Sequence, residues 1–79
     1  MRKKHPELIK LGENIRELRK SKGFSQESFA DEAGLDRTYM GGVERGERNL
    51  ATLNLIRIAA ALGIEVGILF PPINTLTHD

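Results

Sequence analysis

Residues 24 to 49, FSQESFADEAGLDRTYMGGVERGERN, admit few folds, because helix starts and a helix stop alternate within one short stretch. Ser25 is an N-cap residue ahead of the run Gln26 to Ala33, Gly34 accepts the positive φ that ends a helix, and Asp36 caps a second run from Arg37 to Arg45. Two short helices joined by a tight glycine turn follow. Ala30 is small enough to let them approach closely, and Phe29, Leu35, Met40 and Val43 fall where their inner faces meet. The first turn of the second helix then carries Arg37, Thr38 and Tyr39, rich in hydrogen-bonding groups and not all required by a core. Such a helix offers its N-terminal end to a polar target.

The flanking segments complete a helical pattern. Pro6 suits the first turn of a helix running to about Lys22, with Gly23 as the stop, and Leu8, Leu11, Ile15 and Leu18 form one apolar stripe at spacings of three and four. Residues 46 to 51 read as a loop. From Thr52 to Leu62, the residues Leu53, Leu55, Ile56, Ile58, Ala59 and Leu62 are apolar round much of the circumference, which predicts a helix buried by more than one neighbour and ended by Gly63. Ile64 to Phe70 is a short apolar element of one or two helical turns, terminated by Pro71 and Pro72, with a loose tail from Ile73 to Asp79. No strand alternation, internal repeat or low-complexity segment is present. The fold class is all-α, a compact bundle of about five helices in a single domain spanning residues 1–79, with its core at about 6–70 and a tail at 71–79.

Bulk properties narrow the function classes. Seventy-nine residues hold one core, and with no cysteine the chain has neither disulfides nor thiolate zinc sites to support it. Stability must come from packing, in part shared with a second subunit. Apolar residues at 39% and charged residues at 29% are ordinary for a soluble globular domain. No run approaches the roughly 18 apolar residues of a membrane span, and the opening MRKKHPELIK leads into an amphipathic helix, so a cytoplasmic location is expected. The net charge of +1 hides an uneven distribution: residues 1–24 carry eight basic and three acidic side chains, residues 25–50 three and six, and the remainder one and two. Taken alone, such a basic end is ordinarily a solvated helix face.

Catalytic chemistry is not expected. His5 and His78 stand near opposite termini with no second ligand at helical spacing. Asp31 with Glu32, and Glu44 with Glu47, are acidic pairs that no spacing sets in a cleft. Gly41, Gly42 and Gly46 lack the following Lys-Ser or Lys-Thr of a phosphate loop. Neither a metal nor a cofactor is expected, and no small-molecule ligand.

From Leu18 to Leu62 the chain resembles the Cro/C1-type, phage-repressor-like helix-turn-helix family. The matching pieces are LRKSKGFSQESFA, the AGLDRTYM turn and second helix, ERGERN, and LIRIAAALGI, all in the correct order. Within that family, DRTY followed by an ERG segment ending in RN, on so short a chain, is most similar to the controller proteins of restriction-modification systems. The resemblance implies a lambda-repressor-like domain acting as a homodimeric regulator on a pseudo-palindromic operator in double-stranded DNA.

The resemblance also implies roles. Arg37 is suited to a bidentate bond with guanine, Thr38 to a base edge or thymine methyl, and Tyr39 to a base edge or phosphate. The N-terminal end of the recognition helix, with its dipole and free amides, favours phosphates as well. Gln26 matches the family's clamping glutamine, with Ser25 beside it, and Arg48 and Asn49 match positions that hold the DNA backbone. Arg19 and Glu44 match a partly buried ion pair that ties the first helix to the recognition helix.

Two departures stand out. Gly41 and Gly42 lie inside the recognition helix, each at a cost of roughly 1 kcal/mol relative to Ala, either for close approach to the DNA backbone or leaving that part of the groove unread. Leu50-Ala51 replaces the usual Pro and capping residue, so Asn49 or Thr52 is expected to cap the next helix. The expected dimer surface is the apolar end formed by Ile64, Val66, Ile68, Leu69 and Phe70, with face residues of the preceding helix. The alternative readings are an antitoxin or bridging-type protein-interaction module on the same fold, and a phage-type repressor.

Overall fold

The apolar spacings and capping residues produce five helices and one 3-10 turn in a computed structural model that describes residues 5–77. They are α1 (Pro6–Ser21), α2 (Gln26–Ala33), α3 (Arg37–Glu44), α4 (Thr52–Leu62), a 3-10 turn (Val66–Leu69) and α5 (Ile73–Leu76). Pro6 occupies the first turn of α1 as its missing N–H allows. Ser25 and Ser28 form a reciprocal capping box at the start of α2. Gly34, at φ 72°, closes α2 in the left-handed region, where a side chain would be strained.

Every element except α5 delivers a fully buried side chain to the centre. Ile15 of α1, Phe29 of α2, Met40 of α3, Ile58 of α4 and Leu69 of the 3-10 turn are all fully buried. Full burial of a side chain of this size is worth about 1.5–3 kcal/mol, so the five together set the arrangement of the elements. Phe24 meets Phe29 edge to face at 5.3 Å, sealing the loop before α2 onto this centre. Ala30 of α2 is also buried, and α2 packs against α3.

One close approach in the bundle rests on Gly12, in the middle of α1. A Cβ on Gly12 would lie 2.4 Å from the Val43 carbonyl oxygen and 2.7 Å from that of Glu44. Backbone therefore meets backbone where α1 crosses the end of α3.

Two expectations are corrected. Residues 73–76 form a helical turn in place of a loose tail, and Lys10 Nζ donates to the Thr75 carbonyl across to α1. The N-cap of α4 is Ala51, whose side chain has no oxygen to accept, so neither Asn49 nor Thr52 serves as the cap. As expected, α4 packs against more than one neighbour, α2 and the 3-10 turn, and buries Ile58, Ala59 and Leu62, while Leu53 and Ile56 remain 57% and 49% exposed.

Candidate nucleic-acid interface

Asp36 starts the recognition helix. Its carboxylate accepts from the Thr38 and Tyr39 amides at 2.9 and 3.2 Å, so two of the N–H groups expected to meet phosphate are already taken. The anion binding expected from free amides at this terminus is corrected accordingly, and contact with a polar target falls to the side chains. Arg37 and Thr38 are exposed, with Arg37 no closer than 4.0 Å to Glu27. Farther along α3, Met40, Gly41, Gly42, Val43 and Glu44 are all buried. The helix thus divides into an exposed first turn and a buried body.

Tyr39 lies on the boundary. Its ring packs partly against the core, while Asn54 Nδ2 of α4 donates to the hydroxyl oxygen at 3.0 Å. Because the oxygen is the acceptor there, the hydroxyl proton remains able to donate outward. The Arg48 guanidinium stands 5.6 Å from the ring centroid, a cation–π arrangement.

The two internal glycines make room for arginines. A Cβ on Gly41 would sit 3.0 Å from Arg45 Nη1, and one on Gly42 would sit 3.2 Å from Arg48 Cγ and Nε. Neither glycine faces open space, as the reading of bare backbone beside DNA required; each is covered by a guanidinium-bearing side chain lying along the helix. Arg45 follows the last residue of α3 as its C-cap, and it is exposed.

Behind this surface, Arg19 Nε and Nη2 donate to Glu44 Oε2 and Oε1 at 2.7 and 3.0 Å. Arg19 Nη1 donates to the Phe24 carbonyl at 2.8 Å, and Gln26 Nε2 donates to Glu44 Oε1 at 3.1 Å. One carboxylate thereby joins α1, the start of α2 and the end of α3. Gln26 is consequently part of the internal network as well as half-exposed at the surface. Ser25 is exposed with its hydroxyl in the capping box, and Asn49 is exposed in the loop before α4.

The expected dimer surface divides in two. Val66, Ile68 and Phe70 are exposed, Ile68 at 55%. Leu69 is 0% exposed and Ile64 packs against the core, so Leu69 is removed from the expected set: a side chain enclosed by its own chain has no face for another. Asn14 of α1, unremarked in the sequence, donates to the Ile68 and Leu69 carbonyls at 3.2 and 2.6 Å and pins the 3-10 turn in this register.

His5 is exposed and His78 lies outside the described residues. Among the described residues no helix is long and apolar enough to cross a membrane.

This geometry, a glycine-turned helix pair with an exposed polar first turn on the second helix, has counterparts. The helix-turn-helix family model matches residues 15–69. The chain is 47% identical over 66 residues to the control protein C.MunI of a Mycoplasma species, covering 82% of this chain and 89% of that one. It is similar in structure to the restriction-modification controller protein C.AhdI from Aeromonas hydrophila, with a TM-score of 0.78 and 54% identity over 80% of this chain and 96% of that one. SinR, the master regulator for biofilm formation, crystallised in complex with DNA, is similar at a TM-score of 0.72 and 32% identity over 75% of this chain and 95% of that one. The chain belongs to the helix-turn-helix family, in its Cro/C1-type branch. Within that branch it is similar to the control proteins of restriction-modification systems.

Proposed function

We propose that the protein is a sequence-specific, DNA-binding transcriptional regulator of the restriction-modification controller type, with the whole chain acting as one helix-turn-helix domain. The observation that carries this reading is the division of α3, whose exposed Arg37 and Thr38 contribute nothing to the core while the rest of the helix is locked into it. An arginine and a threonine at the leading end of a helix suit the donor and acceptor pattern of the major groove, where one good bidentate pair discriminates bases by about 1–3 kcal/mol.

Arg37 and Thr38 read bases in this proposal. Tyr39 donates its hydroxyl proton to a phosphate or base edge, Arg48 and Asn49 hold the backbone on one flank, and Gln26, with Ser25 at the rim, holds it on the other. Arg19 and Glu44 position the recognition helix without touching DNA. Its place of action is then the cytoplasm.

One such domain covers little DNA, and two copies reading half-sites about 34–36 Å apart double the contacts. The exposed apolar side chains Val66, Ile68 and Phe70, with Leu53 and Ile56 of α4, support a homodimer formed through this end of the molecule. Binding of the dimer to a pseudo-palindromic operator then regulates the adjacent promoter, with protein concentration as the signal.

Selection of bound sequences from a random duplex pool tests the proposal. A two-fold symmetric consensus is expected, lost in Arg37→Ala and bound with a steep salt dependence. Failure to enrich any sequence would refute it and favour the protein-interaction module, whose partner binding would survive loss of Arg37 and Thr38.

A further inference from the structure

Arg45 has no assigned role, yet it lines the same cleft as the proposed readout residues. One hollow beside the recognition helix is lined by Gln26, Arg37, Thr38, Gly41 and Arg45. A second shares Gln26, Gly41 and Arg45 with the first and adds Arg16, Arg19 and Glu44. Glu44 is committed to Arg19. The remaining charges lining the two hollows, Arg16, Arg37 and Arg45, are all positive, and an anion is the ligand they suit.

Arg45 is held in place from two directions. The missing side chain of Gly41 leaves space for its guanidinium against the helix, at 3.0 Å from where a Cβ would stand. Its Nη2 lies 3.2 Å from Glu47 Oε1, with the two side chains 58% and 39% exposed. Exposed pairs of this kind are held weakly and are screened by salt. A phosphate oxygen competes well for such an arginine, because it offers the same charge with the acceptor geometry that a guanidinium fork matches.

We propose that Arg45 is a DNA-phosphate contact and that Glu47 is its resident counter-ion, displaced when DNA binds. The inference rests on the DNA-binding reading above and adds to it a residue pair that sets overall affinity without reading sequence. Glu47 occupies the phosphate's position on Arg45 in the free protein, so every binding event, on any sequence, must first break that pair. Weak non-specific binding is lowered by the same factor as operator binding, which keeps the protein off random DNA at low concentration.

The experiment is a titration of the full chain, wild type and variants, against the duplex recovered by selection and against a random-sequence duplex of equal length, over a range of KCl. Arg45→Gln is expected to weaken both by a common factor and to lower the log–log salt slope by about 1. Glu47→Gln is expected to tighten both by about two- to five-fold, the reach of an exposed ion pair, and to lose most of that effect in an Arg45→Gln background. Thermal melts of each variant, expected to match wild type, separate lost contact from lost fold. If Arg45→Gln binds like wild type, or Glu47→Gln keeps its full effect without Arg45, the inference is overturned, while loss of selectivity in Arg37→Ala leaves the regulator reading standing. Absence of binding to either duplex by the wild type overturns both.

Discussion

Arg19 and Glu44 meet through two hydrogen bonds of 2.7 and 3.0 Å with side chains only 8% and 3% exposed, so the recognition helix is fastened to α1 by a desolvated ion pair. Breaking a buried pair by removing one partner leaves a charge with neither water nor counter-ion, at a cost of about 3–5 kcal/mol. Glu44→Gln is therefore expected to lose that amount in urea unfolding, a large share of what a domain of this size has. A loss below about 1 kcal/mol would mean that Arg19 finds solvent or another acceptor. Replacing both residues with apolar ones of similar volume is expected to recover much of the loss.

Gly12→Ala is expected to destabilise the fold, although alanine is the better helix former. The added Cβ would lie 2.4 Å from the Val43 carbonyl oxygen, and separating two backbones costs about 1–3 kcal/mol by the measure of overpacked cores. Chemical denaturation reads this directly. An unchanged midpoint would show that α1 slides on α3 without penalty.

Gly42→Ala should act in the opposite direction on stability. The three atoms nearest the new Cβ all belong to the Arg48 side chain, the closest at 3.2 Å, and that exposed chain can swing away. Helix propensity then raises stability by up to about 1 kcal/mol, while the Arg48 guanidinium leaves its place over Tyr39. A higher melting temperature with weaker DNA binding is the expected pair of results; undiminished binding would separate the glycine from the seating of Arg48.

Neighbouring residues in the 3-10 turn should give contrasting phenotypes. Leu69→Glu places a charge in the centre of the core and is expected to prevent folding. Ile68→Glu alters an exposed side chain and is expected to leave the helical circular-dichroism spectrum intact while shifting sedimentation from dimer to monomer. If Ile68→Glu sediments like wild type, the proposed dimer surface is wrong.

Local signals carried much of this architecture. Ser25, Gly34 and Asp36 mark α2 and α3 at the positions where the structure places their ends, because capping is decided by chemistry within one turn. The Arg19–Glu44 pair was legible only through resemblance, since no local rule links residues 25 apart. Gly12 was silent because a missing side chain says nothing about what occupies the space. Leu69 was grouped with its exposed neighbours because a continuous apolar run has no phase; the Asn14 bonds to the turn's carbonyls settle which side faces in. The seats of Arg45 and Arg48 depend on side chains folding back over α3, a tertiary choice that helix propensity penalised and packing explains.

The division of α3 has a consequence for how such a protein changes over time. Met40 to Glu44 hold the scaffold together, whereas Arg37 and Thr38 can be exchanged without disturbing it. If Arg37 and Thr38 read the half-site as proposed, a new pair of side chains there would address a different one on an unaltered chassis, and a lineage could retarget through one or two codons while keeping its fold. On that reading, vocabulary and grammar are carried by separate residues of one eight-residue helix.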